Sequence, residues 1–221
     1  MSMQYKNAIF DLDGTLINSL ADLAAAVNAV LTNYGFPTFT TDEYRYKVGN
    51  GAKKLIERSL PQDKAADPAF VQTALAKFKT IYTAHAADNT KPYDGIIDTL
   101  TELHTRGVTL GICTNKPQGA AEEIARTMLR EIPFAIVIGD GDGLPIKPDP
   151  AKVRLICRKI NIRPADTIFV GDSAVDMETA VNSGCLPVGV LWGFREREEL
   201  LSAGAKVLLT KPQELLRDFT I

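Results

Sequence analysis

The chain is poor in the residues that mark several common protein classes. Three cysteines in 221 residues, Cys113, Cys157 and Cys185, are too few and too irregularly spaced for a disulfide scaffold or a zinc centre. An odd, sparse set suits a reducing compartment, so a cytoplasmic protein is expected. The two histidines, His85 and His104, flank no serine or cysteine nucleophile, which leaves a hydrolase triad without support. An excess of positive charge is missing too. With 25 basic and 27 acidic residues the net charge is −2, so no nucleic-acid partner is expected. No apolar run approaches the roughly 20 residues that cross a bilayer, so no membrane partner is expected. The opening residues put acidic side chains directly after a short apolar run, unlike a secretory signal. Repeats and low-complexity tracts are absent.

What is present is enough apolar material for a core: hydrophobic residues make up 45% of the chain. Short apolar runs at 7–10, 108–113, 134–138, 167–170 and 187–191 read as strands. Their hydrophobicity is continuous rather than alternating, as in strands covered on both faces of a parallel sheet. Helical patterns at 96–105, 118–129, 150–160 and 175–183 lie between most of them. This alternation predicts an α/β fold with a doubly wound, mostly parallel sheet. Residues 19–90 depart from the rhythm, with helical patterns at 20–34, 42–48, 52–60 and 68–87 and no strand. The expected organisation is an α/β catalytic core of residues 1–18 and 91–221, with a helical cap inserted at 19–90 and a return linker at 90–95.

Polar residues follow three of the strands. Asp11, Asp13, Gly14 and Thr15 come after the first, Thr114 and Asn115 after the second, and Gly171, Asp172 and Ser173 after the fourth. Ligands of open α/β sheets bind off the carboxyl ends of strands, so these residues should converge. Lys147 precedes a helix and adds a cation. Asp11, Asp13, Asp172 and Asp176 would crowd together, and their repulsion calls for a cation. All-oxygen donors favour Mg²⁺. A metal beside Lys147 is a receptor for a phosphoryl group. Asp11 is then placed to attack phosphorus, and Asp13 to protonate the leaving oxygen and later activate water. Gly14 permits a sharp turn whose amides face the anion.

Each signal alone has a plainer reading. An Asp-x-Asp pair is common, Thr114 and Asn115 suit a helix N-cap, and Ser173 can cap the helix after it. Their conjunction, in order and at strand ends, carries the argument. Gly139 to Gly143, with Asp140 and Asp142, resembles a calcium loop but lacks the remaining ligands and reads as a turn.

At these residues the chain resembles the haloacid dehalogenase superfamily of phosphohydrolases. The resemblance covers essentially the whole chain. It implies that Asp11 is the nucleophile, Asp13 the acid/base, and Thr114, Asn115 and Lys147 the phosphate-holding residues. It implies that Mg²⁺ is held by the side chains of Asp11 and Asp172 and the carbonyl of Asp13, with Asp176 and Ser173 supporting them. Within the superfamily the segments 48–52, 92–95 and 191–194 resemble phosphoglycolate phosphatases. The implied partner is a small phosphate ester, and the implied assembly a monomer or homodimer. Asn50 and Lys53 are the cap residues expected to select the substrate, with solvated helix-end positions the plainer reading. A mutase would share the catalytic residues. A non-catalytic regulatory protein would lack Asp11 or Asp13, and a dehalogenase would not need Asp13.

Overall fold

The strand Asn7–Phe10 (β1) is buried along its whole length, so it has no face to offer water and belongs in the middle of a sheet. The computed structural model, which describes residues 5–141 and 143–218, places it there. β1 pairs in parallel with Thr109–Pro117 (β4) on one side and Thr167–Gly171 (β6) on the other. Ile136–Asp140 (β5) lies outside β4. Leu186–Val190 (β7) and then Val207–Leu209 (β8) lie outside β6. The order β5-β4-β1-β6-β7-β8, all parallel, is the doubly wound sheet expected from the sequence.

Successive side chains of β1 feed opposite layers. Phe10 packs with Leu100, Ile112, Ile124 and Val170, and Ile9 with Cys113, Val153, Ile156 and Phe169. The helices that cover the sheet are Ile96–Thr105 (α5), Gln118–Thr127 (α6), Ala151–Lys159 (α7), Ala174–Ser183 (α8) and Arg197–Ser202 (α9). Each large apolar side chain buried between sheet and helix contributes about 1.5–3 kcal/mol. After β5 the chain crosses β1 to begin β6. The carboxyl ends of β1, β4 and β6 therefore meet at the point where the winding reverses.

Three details differ from the sequence reading. β4 runs beyond residue 113 through Thr114, Asn115 and Lys116, polar residues that end an apolar pattern without ending the strand. β8 has only three residues, two of them half-buried, too short to register as a run. Ile17–Asn18 (β2) and Lys91–Pro92 (β3) pair as a two-stranded sheet, where an irregular linker was expected.

The chain divides into two units, one up to Ile17 and from Pro92 onward, the other Asn18–Lys91. The second contains Leu20–Asn33 (α1), a 3-10 turn at Asp42–Tyr46, Gly51–Glu57 (α2), Gln62–Ala65 (α3) and Pro68–His85 (α4). The helix expected over 52–60 stops at Glu57, and Pro61 begins the next. α4 starts where Asp67 accepts bonds from the amides of Ala69 and Phe70, with Pro68 in the first turn. It packs on α1 and α2 through buried Val27, Leu31, Leu55, Ile56, Val71 and Phe78. No helix among the described residues is long and apolar enough to cross a membrane.

The ends of this unit are tied by one carboxylate. Asp22, in the first turn of α1, accepts hydrogen bonds from the Asn89 amide (3.0 Å), Asn89 Nδ2 (2.9 Å), the Thr90 amide (2.8 Å) and Thr90 Oγ1 (2.7 Å). Burial favours its neutral form, but the donors on Thr90 and Asn89 outweigh burial and hold the carboxyl below its ordinary value. A depressed folded value means stability that is full above the unfolded value, about pH 4, and lost as pH falls through the folded one. Asp22→Ala should cost about 3 kcal/mol at pH 7, a fall of roughly 6–12 °C in melting temperature. The gap between variant and wild type should begin to narrow as the pH falls below about 4 and go on shrinking through the lower folded value. Thermal melts of both proteins across that range check it.

Candidate active site

Asp11 follows β1, its amide bonded to the Val170 carbonyl of the neighbouring strand (2.9 Å). Two rigid strands thus fix its backbone. Lys147 Nζ lies 2.8 Å from Asp11 Oδ1 and 2.6 Å from Asp176 Oδ1, and the lysine is buried. Asn115 holds the lysine from the side. Its Oδ1 accepts the Lys147 amide (2.8 Å) and its Nδ2 donates to the Lys147 carbonyl (3.2 Å). Asn115, expected to hold phosphate, uses its side-chain amide group to grip the backbone of the residue that carries the charge.

Asp176 sits in the first turn of α8. Its Oδ2 accepts from the Ser173 amide (3.1 Å) and Oγ (2.6 Å), closing a capping box, while Oδ1 faces Lys147. Asp172, at the end of β6, accepts the Phe194 amide on Oδ2 (2.8 Å). The segment after β7 therefore straps the site. Trp192 Nε1 donates to the Thr15 carbonyl (3.0 Å) in the loop after β1, and Gly193 lies between that loop and Asp172. A Cβ on Gly193 would fall 2.6 Å from Asp172 Oδ2. The sequence offered the 191–194 segment only as a family likeness; its contact with Asp172 has no signature in spacing.

Carboxylate oxygens of Asp11, Asp172 and Asp176 all lie within 4.8 Å of one another, and all three residues are buried. Burial pushes the Asp11 carboxyl up to about 6 against the pull of Lys147, with Asp176 repelling it further. Burial, then Asp176 and Asp11, push Asp172 well above the ordinary carboxylate range. Burial disfavours the Lys147 ammonium, but Asp11 and Asp176 outweigh it and hold the lysine protonated. Asp11 Oδ1 is buried and receives no bond of hydrogen-bond geometry, because Lys147 approaches it off that direction. Crowded, all-oxygen donors with one oxygen left over fit a hard divalent cation. All three residues can offer such an ion an oxygen, and on Asp176 both oxygens already accept, from Lys147 and from Ser173.

Asp13 faces a lysine absent from the sequence candidates. Lys116 Nζ lies 2.9 and 3.1 Å from the two Asp13 oxygens. Its place on β4 two residues after Thr114 was the one available signal. Thr114 Oγ1 accepts the Lys116 amide (3.2 Å), and the Thr114 carbonyl accepts from Lys152 Nζ (3.1 Å), itself buried. Asp140 Oδ1 is 4.0 Å from Lys152; Asp142 lies outside the described residues. Asn50 and Lys53 belong to the other unit. Asn50 Oδ1 accepts from Arg58 (2.8 Å), and exposed Lys53 lies 3.6 Å from Glu57. Nothing there departs from solvated helix-end positions.

Residues 8–190 match the haloacid dehalogenase-like hydrolase family. The chain belongs to that family. This haloacid dehalogenase-like hydrolase is 36% identical over 212 residues to a phosphoglycolate phosphatase of Pseudomonas putida, covering 94% of this chain and 77% of the relative. It is 35% identical to a phosphoglycolate phosphatase of Mannheimia succiniciproducens, covering 88% and 89%. Its fold matches the crystal structure of a predicted phosphoglycolate phosphatase from Haemophilus somnus with a TM-score of 0.88, at 28% identity over 98% and 99% of the two chains.

The strap yields a test within this hydrolase. Gly193→Ala should displace Asp172 and, if the clustered carboxylates hold Mg²⁺, weaken Mg²⁺ binding and turnover each by about 10–100-fold, the usual effect of losing an outer support to a ligand. Calorimetric titration of Mg²⁺ and steady-state rates at saturating metal measure the two effects.

Proposed function

We propose that this phosphoric monoester hydrolase is a Mg²⁺-dependent phosphatase that acts through a phospho-aspartyl intermediate on Asp11, with 2-phosphoglycolate as substrate. The observation that carries the reading is Asp11 itself. It is a buried carboxylate at the sheet switch point, beside a buried ammonium and a second carboxylate held for a cation. The relatives named phosphoglycolate phosphatase support the substrate.

In the first half-reaction a phosphoryl group docks beside Lys147 and the Thr114 hydroxyl. An Asp11 oxygen attacks phosphorus, the bond to the ester oxygen breaks, and Asp13 gives that oxygen a proton. The Lys147 ammonium 2.8 Å from Asp11 favours the ionised carboxylate that a nucleophile must be. Lys147 offsets charge on the phosphoryl oxygens, where catalysis of phosphoryl transfer mainly lies. In the second half Asp13 takes a proton from water, which attacks phosphorus and frees Asp11 and inorganic phosphate. Held by Asp11, Asp172 and the Asp13 carbonyl, Mg²⁺ would neutralise the carboxylates and withdraw charge from the phosphoryl group. Asp176 and Ser173 position Lys147, and Asn115 positions it through its side chain while remaining one of the residues proposed to hold the phosphate. The helical unit acts as a mobile cap that excludes water and sets substrate choice. The free thiols suit a reducing, cytoplasmic setting, and the proposed assembly is a monomer or homodimer.

A panel of small phosphate esters, read by phosphate release, tests this. 2-Phosphoglycolate should be the best substrate, EDTA should abolish turnover and Mg²⁺ restore it. Asp11→Asn should fold yet lose turnover by several orders of magnitude. A variant keeping more than about a tenth of the rate, roughly 1.4 kcal/mol of barrier, removes the nucleophile assignment.

Substrate selection is assigned to the cap residues Lys53 and Asn50. Lys53→Ala should lower kcat/KM for 2-phosphoglycolate by about tenfold or more while sparing p-nitrophenyl phosphate, the loss of one charge-assisted contact. Equal changes on the two substrates would end the selector role.

A further inference from the structure

We infer that Lys116 is a positioning residue for the Asp13 carboxyl group, and this rests on the reading of Asp13 as acid/base. The Lys116 side chain is almost fully buried, while that of Asp13 is 20% exposed. One ammonium reaches both carboxylate oxygens, at 2.9 and 3.1 Å. A contact to both oxygens restrains rotation of the carboxyl group, not merely its distance. The lysine is itself anchored. It stands on β4, which pairs directly with β1, and its amide is bonded to Thr114 Oγ1 (3.2 Å). The three buried lysines of the core divide the work. Lys147 serves Asp11 and Asp176, Lys152 serves the Thr114 carbonyl, and Lys116 serves Asp13.

A loop carboxylate without this contact would sample several rotamers, and proton transfer requires one. A misplacement of about 1 Å costs about 10²-fold in rate. The defect should appear where the leaving oxygen needs a proton and fade where it does not. A lysine needed only to fill space or balance charge would affect every substrate alike.

The test uses the full chain with Mg²⁺ and two substrates: the alkyl phosphate the enzyme turns over fastest, and p-nitrophenyl phosphate, whose leaving group needs little protonation. Lys116→Met and Lys116→Gln should lower kcat on the alkyl ester by about 10–100-fold and on the aryl ester by less than about threefold. The ratio of the two rates from one preparation does not depend on the fraction folded, so it is informative even for a destabilised variant. Asp13→Asn is run in parallel, alone and combined with Lys116→Met. The double variant should be no slower on the alkyl ester than Asp13→Asn. Equal losses on both esters in the Lys116 variants, or multiplicative losses in the double variant, would overturn the assignment while leaving Asp13 in its role. An Asp13→Asn variant without leaving-group dependence would overturn both.

Discussion

A buried ammonium between two carboxylates organises the catalytic edge of the sheet. Lys147 Nζ stands 2.8 Å from Asp11 and 2.6 Å from Asp176, residues that reach it from the first strand and from the helix after the fourth. Without that cation, Asp11, Asp172 and Asp176 would repel one another inside a medium that solvates charge poorly. Breaking a buried pair by deleting one partner typically costs 3–5 kcal/mol. The surrounding geometry keeps the ammonium in place. Asn115 grips the lysine's backbone on both sides, and Ser173 fixes the far oxygen of Asp176 while starting α8. The same bonds that cap a helix and close a loop therefore decide where the charge lies.

Much of this was legible because buried parallel strands write themselves as apolar runs. β1 and β6 stand out for that reason, and the residues after them fall at the switch point whatever else the chain does. Lys116 was not legible. It sits inside a strand that the apolar pattern ends four residues too early, and its value comes from a partner 103 positions away. The Asp22 clamp is hidden for the same cause, since its donors lie 67 and 68 residues downstream. Spacing rules report one face of one element; they do not report which loop a carboxylate will meet.

The strap after β7 shows the limit from another side. Trp192 and Phe194 each use one N–H to tie parts of the site together, the first on the Thr15 carbonyl and the second on Asp172. Between them Gly193 has no room for a side chain. A Trp-Gly-Phe triplet has no general meaning in sequence. Here it ties the loop after β1 and Asp172, the acid after β6, to one short segment.

Charge balance links the core to the choice of substrate. Lys116 pairs with Asp13 and Lys147 with Asp11 and Asp176, while Asp172 lies beside them without a lysine, so with all four carboxyl groups ionised the set carries two negative charges in excess, the charge that the proposed divalent cation would offset. Lys152 is turned to a backbone carbonyl and Asp140, and Arg195 lies 3.3 Å from Glu199. With the cation bound, the core is close to neutral, and its cations are already matched. A phosphoryl dianion can draw on Lys147 and the amides of the turn at Gly14. A substrate bearing a further carboxylate brings a charge for which this set holds no uncommitted partner. In the helical unit Lys53 is exposed and only loosely paired, 3.6 Å from Glu57, and a pair of that kind is held weakly, which is why the selecting role is proposed for it. The core thus fixes the chemistry, and the proposed cap is left to decide which phosphate ester receives it.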